Sequence, residues 1–267
     1  MKGYKSLIES EHRWISRMGA WFPEEGRVVF RGKDLFHELK DLSWMALLFY
    51  GMTGRIFNEK QMRLFEGIWT LCTSYPEPRI WNNRIAALAG TTRSTATLAI
   101  SAATAVSEAT IYGHRPIVQA IDFLFRAQEK LETGVNLEEF IRLELKQYRV
   151  IPGYGRPGPR KDERIEPAMA LASELGFASG PYVKLAFDIQ KILSQGRWRL
   201  DMSIAALSAA LHADQGISTQ EYRLFAVLNF SAGMFPCYLE ASEKTVGTFF
   251  PLSCHRIQYE GKLHRVW

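Results

Sequence analysis

The sequence VIPGYGRPGPRKDER, at residues 150–164, is the stretch that most constrains the fold and function of this chain. It joins a turn rich in glycine and proline to a cluster of cations, namely Arg156, Arg160, Lys161 and Arg164. Glycines let backbone N–H groups approach a phosphate or thioester closely, while the cations supply positive charge beside it. The stretch therefore predicts a loop that binds an anionic ligand.

Composition places broad limits on the class of protein. The chain has 267 residues, of which 47% are hydrophobic, so it can form one large domain or two modest ones. No run approaches the ~20 apolar residues that span a bilayer, and the first residues, MKGYKSLIESEHRW, lack the apolar segment of a signal peptide. We expect a soluble cytoplasmic protein that does not act at a membrane.

Net charge and cysteine content limit the kinds of ligand that the protein is expected to bind. The net charge of +5 mildly favours an anionic partner, which fits a phosphate-rich coenzyme and a nucleic acid equally well. The three cysteines, Cys72, Cys237 and Cys254, are too few and too scattered for a disulfide framework or a zinc site. We expect no bound metal.

Hydrophobic periodicity predicts a mostly helical chain. In residues 34–50 the apolar positions recur with helical spacing, and the G-M-T-G that follows predicts the helix end. Asn58 with Gln61 forms a capping-box pattern, and later helices begin with the same kind of signal, at Asn136 with Glu139 and at Ser218 with Glu221. A further helix is expected to start near Leu200. The one clear strand candidate, residues 27–31, is too short and isolated to predict a sheet.

Residues 93–112, RSTATLAISAATAVSEATIY, consist mainly of alanine, serine and threonine. Small side chains on every face of a helix permit close approach of neighbouring backbones. This pattern favours a buried central helix or a helix at a dimer interface. The alternative is an alanine-rich core helix within one subunit.

Three residues could carry chemistry, although each has a simpler explanation when taken alone. His114 follows a glycine and would satisfy a carbonyl at a helix end. Asp201 would sit at a helix start as a capping or first-turn carboxylate. Arg156 would be a loop cation. Their separation in sequence does not indicate that they are close in space.

The motifs together resemble the citrate synthase and citryl-CoA lyase family. In that family a P-G-(F/Y)-G turn is followed by a histidine and then D-x-R; here the turn is Pro152 to Gly155, and Asp162 and Arg164 match D-x-R. Further segments of this chain match family motifs in the same order, namely VVFRGKDLFHELKDLSWMALLFYGMTGRI at 28–56, SEATIYGHRPIVQAID at 107–122, RLDMSI at 199–204, FSAGMFPCYLE at 230–240 and HRIQYEG at 255–261. Each motif is weak, but their order over nearly the whole chain is fairly specific.

The resemblance implies an all-α, two-lobed helical fold and a homodimer. The length is similar to that of the short citryl-CoA lyase type. One lobe would comprise residues 1–78 plus 211–267, and the central helices and small lobe would comprise residues 79–210. Composition alone does not mark this boundary.

The resemblance also assigns roles to residues. His114 would hydrogen-bond the thioester oxygen of an acyl-CoA, and Asp201 would remove an α-proton. Because a carboxylate is a weak base for this proton, stabilisation of the developing enolate must supply the rest. We expect His114, Asp201 and Arg156 to converge on one cleft, with the glycine turn as its wall.

The remaining contacts implied by the resemblance involve the coenzyme and the second substrate. Coenzyme A would be bound by the turn and the cations after it, that is, by Gly153, Tyr154, Gly155, Arg160 and Lys161. Arg164 would contact the substrate anion, and Arg256 would reach into the partner subunit's site. A solvated basic loop and an exposed terminal cation are the alternatives for these residues.

Two positions depart from the family pattern. Arg156 stands where a second histidine polarises the carbonyl of the electrophile, and Phe230 stands where an arginine binds its carboxylate. Arginine cannot shuttle a proton at neutral pH, but it can donate two hydrogen bonds. Three interpretations follow: Arg156 takes over carbonyl or carboxylate binding, the electrophile is less charged than oxaloacetate, or catalysis has been lost.

The sequence therefore favours an enzyme that forms or cleaves a C–C bond on an acyl-CoA or related thioester, with an electrophile other than oxaloacetate. The alternative is a catalytically silent thioester-binding or regulatory homologue. A basic nucleic-acid-binding protein fits poorly, because no helix carries clustered basic residues beside a recognition face. We expect small-molecule ligands and no nucleic acid.

Overall fold

The computed structural model describes residues 4–11, 13, 15–111, 113–156, 161–195, 199–248 and 253–262. In these ranges the chain forms twelve α-helices, three short strands and two single-turn 3-10 helices. The helices are α1 Lys5–Glu9, α2 Trp44–Thr53, α3 Glu59–Cys72, α4 Trp81–Thr91, α5 Ala96–Ser107, α6 His114–Glu132, α7 Leu137–Tyr148, α8 Ile165–Leu175, α9 Pro181–Gln195, α10 Ile204–Asp214, α11 Thr219–Asn229 and α12 Met234–Glu243. The predicted helical fold class is confirmed.

The strands form a small antiparallel sheet near the start of the chain, in the order β1 Gly19–Phe22, β2 Arg27–Phe30, β3 Lys33–Asp34. The expectation that residues 27–31 would not form a sheet is therefore wrong. A 3-10 turn at Pro23–Glu25 ends at Gly26, whose φ of 60° lies in the left-handed region and reverses the chain. Gly32, with φ of 86°, lies in the short connection between β2 and β3.

Helix α2 is shorter than predicted, because it begins at Trp44 and not near Asp34. Before it, the Asp34 carboxylate accepts hydrogen bonds from the backbone N–H groups of Phe36 and His37, both at 2.9 Å. A short acidic side chain of this kind offers the backbone an alternative to the helix ladder. The predicted end is confirmed, since Gly54 closes the helix with φ of 74°.

The three predicted helix starts are confirmed by their hydrogen bonds. At α3, Asn58 N donates to Gln61 Oε1 at 3.1 Å, and Gln61 N donates to Asn58 Oδ1 at 2.9 Å. This reciprocal pair satisfies backbone donors that the helix leaves unpaired. At α7, the Asn136 side chain accepts hydrogen bonds from the backbone N–H groups of Glu138 and Glu139. At α11, Ser218 N donates to Glu221 Oε2 and Glu221 N donates to Ser218 Oγ.

By its backbone contacts, the chain divides into two compact units. One comprises Met1–Leu71 with Ala120–Phe225, and the other comprises Cys72–Gln119 with Ala226–Trp267. The boundaries fall at the last residue of α3 and inside α6 and α11. The sequence instead grouped residues 1–78 with 211–267, and that assignment of lobes stays a prediction.

The core of the first unit is an aromatic cluster. Phe49 stacks on Phe65 with ring centroids 4.5 Å apart, and Phe225 lies 5.3 Å from Phe49. His212 of α10 stacks on Phe65 at 5.0 Å and is fully buried, so burial lowers its pKa to about 4. Helices α2, α3, α10 and α11 thereby share one core, in which His212 is neutral at physiological pH.

The core of the second unit lies between α4, α5 and α12. Ala86 and Ala103 pack there with Met234. A Cβ on Gly90 would lie 2.5 Å from the Tyr238 carbonyl oxygen, so α4 and α12 approach at backbone distance. Helix α5 buries one face, at Ala99, Ala103 and Ser107, and exposes the other. The predicted buried helix is therefore buried along one side only within this chain, and its role in a dimer stays a prediction.

The segment Thr219–Glu243 is long and apolar enough to cross a membrane by length and composition alone. This differs from the sequence expectation that no such run exists. The segment comprises α11 and α12, which are separated at residues 230–233, and it buries Tyr222, Phe225, Met234 and Cys237. Core helices of globular proteins satisfy the same criterion.

Candidate functional site

The glycine turn lies directly against the segment that contains Asp201. Tyr154 and Met202 form an antiparallel bridge, and Gly155 N donates to the Asp201 carbonyl oxygen at 2.8 Å. Both the backbone N–H and the hydroxyl of Ser203 donate to the Gly153 carbonyl oxygen at 2.9 Å. These bonds join two segments about 50 residues apart in sequence. They hold the glycine turn and the segment that contains Asp201 together.

Gly153 is required at its position for two reasons. Its φ of 84° lies in the left-handed region, which other residues rarely adopt. A Cβ there would also lie 2.6 Å from the Ala206 Cβ atom of α10. The turn therefore packs directly on the first turn of α10.

Tyr154 fixes the turn to the helix behind it. Its hydroxyl donates to the Ala186 carbonyl oxygen of α9 at 2.7 Å, and the residue is 5% exposed. Burial raises the pKa of this phenol, so it stays protonated. The predicted coenzyme contact at Tyr154 thus has a structural function that sequence reasoning did not assign.

Asp162 is the centre of the loop, and sequence reasoning treated it only as half of a motif. Its fully buried carboxylate accepts hydrogen bonds from Arg164 Nε and Nη2, both at 2.8 Å, and from the backbone N–H of Ile204 at 2.9 Å. Burial pushes the pKa of Asp162 upward, but these hydrogen bonds outweigh that effect and lower it to about 2. Asp162 therefore stays ionised and ties the loop to the start of α10.

Arg156 is charge-compensated. Its Nη1 lies 3.1 Å from Asp162 Oδ1, and its Nη2 lies 3.0 Å from Glu163 Oε2. The side chain is only 22% exposed. Arg156 is thus held by two carboxylates of its own loop. Lys161 is exposed, and Arg160 lies outside the described residues.

The sequence predicted Asp201 to be a capping or first-turn carboxylate of a helix. In the structure it is neither. Helix α10 begins at Ile204 with Ser203 as its N-cap, and Asp201 lies two residues before that cap. The side chain is partly exposed and lines a pocket of about 480 Å³. The other lining residues are Lys161, Asp162, Glu163, Ile165, Glu166, Met169, Phe187, Gln190 and Met202.

His114 is the first residue of α6 and is 4% exposed. Its Nδ1 lies 3.6 Å from Glu108 Oε2, while no described residue hydrogen-bonds its Nε2. Burial lowers the pKa of His114, and the Glu108 carboxylate offsets this only in part. The imidazole is therefore neutral at pH 7, with one buried nitrogen available to a ligand.

Phe230 packs against this histidine. Its ring stacks on that of His114 at 5.3 Å between centroids and lies 6.0 Å from that of Trp81. Its carbonyl oxygen accepts hydrogen bonds from Ser74 Oγ at 2.7 Å and from Asn82 Nδ2 at 3.1 Å. An apolar ring thus covers His114 at this position, and its correspondence to a carboxylate-binding arginine stays a prediction.

Two buried amides lie next to Phe230, and sequence reasoning missed both. Asn82 is 0% exposed and Asn229 is 1% exposed. Within the described ranges, no residue hydrogen-bonds Asn82 Oδ1, Asn229 Oδ1 or Asn229 Nδ2. A buried polar atom without a partner costs about 1–3 kcal/mol, so these atoms are suited to binding a polar ligand. The only sequence signal is the position of Asn229 beside Phe230.

The structure groups the predicted residues by unit. The glycine turn, Arg156, Lys161, Arg164 and Asp201 lie together in the first unit, and His114 and Phe230 lie together in the second. Arg256 belongs to the second unit, where it ends the 3-10 turn Cys254–Arg256 and is itself exposed. The convergence of Asp201 and His114 on one cleft stays a prediction. Among the described residues no cluster of side chains suits a metal ion.

No protein-family model matches the sequence, and no curated protein matches it. Solved structures do match. Citryl-CoA lyase from Hydrogenobacter thermophilus superposes with a TM-score of 0.82 and 18% identity, covering 95% of this chain and 97% of that chain. Methanosaeta concilii ATP citrate lyase, solved in complex with (3S)-citryl-CoA, gives a TM-score of 0.74 and 17% identity, covering 98% of this chain.

This chain spans only 44% of the ATP citrate lyase chain. Citrate synthase from Thermotoga maritima gives a TM-score of 0.62 and 19% identity, with coverage of 85% of this chain and 60% of that chain. Agreement over nearly the full length of the citryl-CoA lyase, together with the ordered motifs, leads to one conclusion. The chain has the fold of citryl-CoA lyase and the citrate synthases.

Proposed function

We propose that the protein is an enzyme that forms or cleaves a C–C bond on an acyl-CoA or related thioester. The observation that carries the proposal is His114, a buried neutral imidazole whose Nε2 bonds no described residue, in a chain with the citryl-CoA lyase fold. Asp201, which lines a pocket beside the glycine turn, supplies the second group that the chemistry needs.

The proposed chemistry divides between these two residues. Asp201 takes the α-proton of the thioester, the electron pair left on the α-carbon forms a C=C bond, and negative charge moves to the thioester oxygen. Binding of the thioester would select the His114 tautomer with its proton on Nε2, in which Nδ1 no longer donates towards Glu108, 3.6 Å away, and Nε2 donates a hydrogen bond to that oxygen as the charge develops. The enol carbon then attacks a carbonyl, and in the cleavage direction the same steps run in reverse.

We further propose that the electrophile is less charged than oxaloacetate. Around Phe230 the buried atoms that bond no described residue include Asn82 Oδ1, both polar atoms of the Asn229 amide and Nε2 of the neutral His114, and none of these groups carries a positive charge. Arg156 is already compensated by Asp162 and Glu163, so it offers little net charge to a carboxylate. A neutral carbonyl compound suits amides and an aromatic ring better than a dianion does.

Exchange of the α-proton tests the proposal without knowledge of the electrophile. The protein should exchange the α-protons of a short acyl-CoA with solvent deuterium, as measured by NMR. Asp201→Asn should abolish the exchange, because an amide cannot accept the proton at neutral pH. Asp188→Asn, at an exposed position of α9, is the matched control and should leave the rate unchanged. Absence of exchange with every acyl-CoA tested would reject the enzyme.

A catalytically silent thioester-binding homologue is the second candidate. The observation in its favour is that Arg156 is engaged within its own loop, so the residue in place of the second family histidine is not poised for proton transfer. This candidate predicts saturable binding of CoA thioesters without any α-proton exchange.

We also propose that CoA phosphates bind near Lys161, Arg164 and Arg160. Arg164 is held by Asp162 through two nitrogens, so exposed Lys161 should contribute most of the salt-dependent attraction among the described cations. Lys161→Ala should weaken CoA binding and flatten its dependence on ionic strength, as measured by calorimetry. Lys191→Ala, at an exposed position on α9, is the control.

A further inference from the structure

The N-terminal segment, residues 4–27, is exposed at every residue whose burial the structure describes. Seven large apolar side chains of the segment are 40–77% exposed, namely Tyr4, Leu7, Ile8, Ile15, Met18, Trp21 and Phe22. With roughly 150–250 Å² for each side chain, they present on the order of 800 Å² to solvent, whereas the largest apolar patch of a typical monomer is about 300–600 Å². Apolar exposure of this extent in one segment indicates a surface that a partner covers.

Strand β1 of this segment forms an edge of the described sheet, whose order is β1-β2-β3. Arg31 N donates to the Met18 carbonyl oxygen, and alternate residues of an antiparallel pair bond the partner strand, so the even-numbered residues of β1 face β2. The backbone N–H and C=O groups of Gly19 and Trp21 therefore point away from β2. No described residue hydrogen-bonds these groups, so the outer edge of β1 can accept another strand.

The sequence of β1, Gly19-Ala20-Trp21-Phe22, is complementary to itself. Opposite residues of an antiparallel pair share a face and a hydrogen-bonding pattern, so Gly19 of one copy can lie opposite Trp21 of another, with Ala20 on the two-fold axis. Each indole then covers the glycine of the other copy, and the two small Ala20 side chains meet at the axis. An aromatic ring that covers a glycine on the neighbouring strand is a known way to fix the register of a sheet.

The charges of the segment also suit a second copy. Residues 4–27 carry four basic and four acidic side chains, namely Lys5, Arg13, Arg17 and Arg27 against Glu9, Glu11, Glu24 and Glu25. A segment without net charge does not repel its own copy, and it lacks the excess of cations that attracts anionic lipid or nucleic acid. Antiparallel pairing also brings Arg17 of one copy towards the end of β1 in the other, where Glu24 follows the strand.

We propose that the β1 strands of two copies of this chain pair antiparallel about a two-fold axis at Ala20. The two three-stranded sheets then form one sheet of six strands. A ribbon of two strands this short is marginal by itself in water, so the contact strengthens the predicted homodimer and does not hold it alone. The inference is independent of the proposed chemistry, because it uses only the N-terminal segment and β2.

Disulfide cross-linking tests the pairing and its register. In the proposed pair the two Ala20 Cα atoms lie about 4.5 Å apart, within the range that a disulfide bridges. Ala20→Cys, oxidised with copper phenanthroline at micromolar protein, should convert most of the chains to a covalent dimer on a non-reducing gel.

Two control variants distinguish this pairing from random collision. Met18→Cys places its two Cα atoms about 14 Å apart in the proposed register, beyond the reach of a disulfide. Ala170→Cys introduces a thiol at an exposed position of α8. Both should cross-link no more than the wild type does through its own cysteines.

Two results of this experiment would overturn the proposal. Equal cross-linking of the three variants would show random collision of exposed thiols. Absence of the Ala20→Cys dimer would show that β1 is not paired, and binding of the wild type to phosphatidylcholine vesicles in that case would assign the apolar segment to a membrane.

The affinity of the dimer provides a second test that needs no cross-link. Trp21→Ala removes two buried rings from each dimer, so the dimer dissociation constant should rise at least tenfold in sedimentation equilibrium. Tyr148→Ala removes an exposed ring at the end of α7 and should leave the constant unchanged. Circular dichroism shows that each variant is folded. An unchanged dissociation constant in Trp21→Ala would overturn the proposal.

Discussion

At the scale of the residue, Asp162 has the largest structural role in the candidate site. Its fully buried carboxylate holds Arg156 and Arg164 and caps the first N–H group of α10. A drop in its pKa from 3.8 to about 2 corresponds to about 2 kcal/mol of stabilisation of the folded state. Since the folded pKa lies below the unfolded one, this stability is present above pH 4 and is lost as the pH falls towards 2.

Asp162→Asn should therefore lower the free energy of unfolding by about 2–4 kcal/mol at pH 7, because it also leaves two arginines without their shared partner. Urea unfolding measures this loss. The gap between the variant and the wild type should narrow between pH 5 and pH 2. Glu163→Gln, whose side chain is 70% exposed, should cost under 1 kcal/mol. A gap that does not change with pH would show that ionisation of Asp162 is not the cause.

Phe230 stacks on His114, so we expect it to contribute to the burial that lowers the pKa of that histidine. Phe230→Ala removes the ring stacked at 5.3 Å, so water reaches the imidazole and the pKa of His114 rises towards its ordinary value. An NMR pH titration of the histidine resonances measures the change. Phe235→Ala, at a position that is 56% exposed, is the control. An unchanged pKa in Phe230→Ala would mean that other groups bury the histidine.

The sequence motifs named His114, Asp201 and Phe230 as candidate site residues, and that assignment stays a prediction. The motifs did not indicate the partners of the charged residues. Arg156 was a candidate catalytic residue with three interpretations, and the sequence did not indicate its ion pairs with Asp162 and Glu163. The amides of Asn82 and Asn229 were not identified at all, because their burial depends on packing between distant segments. Charge compensation and burial are tertiary properties, so a one-dimensional motif does not contain them.

At the scale of the element, the glycine turn is the part of the site most sensitive to backbone change. Gly153→Ala places a Cβ 2.6 Å from Ala206 Cβ and forces a φ of 84° on alanine. We expect a loss of roughly 2–4 kcal/mol in the free energy of unfolding, from strain and from overpacking against α10.

Gly134→Ala separates the two causes. Gly134 has the same φ of 84°, but nothing lies within 4 Å of its Cβ position. It should therefore show the strain alone, about 1 kcal/mol. Equal losses for the two variants in urea unfolding would show that the contact with α10 has no energetic consequence.

Local signals explain which elements were predicted correctly. The starts of α3, α7 and α11 depend on side chains within three residues of the helix end, so the sequence contains them in full. The sheet was missed because its strands are four residues or fewer, and the turns at Gly26 and Gly32 were not used as hairpin signals. The start of α2 was missed because Asp34 competes for the backbone donors that a helix would use.

At the scale of the whole molecule, the exposed face of α5 bears on the predicted homodimer. Leu98 is 65% exposed, and the exposed residues Ser101, Ala102 and Ala105 beside it are small. Small side chains let two helices approach closely, and a leucine among them adds apolar area to such a contact. We therefore expect a second copy of the chain to cover this face.

Sedimentation velocity at micromolar concentration should give a dimer of about twice the 30.5 kDa chain mass. Leu98→Lys should shift it to the monomer, because a lysine charge buried in the contact without a partner costs several kcal/mol. Leu143→Lys, at a position of α7 that is 56% exposed, is the matched control and should leave the dimer intact. A monomeric wild-type protein would contradict the predicted dimer, and with it the predicted role of Arg256 in a partner's site. A dimer that tolerates Leu98→Lys would show that the two copies meet at another face.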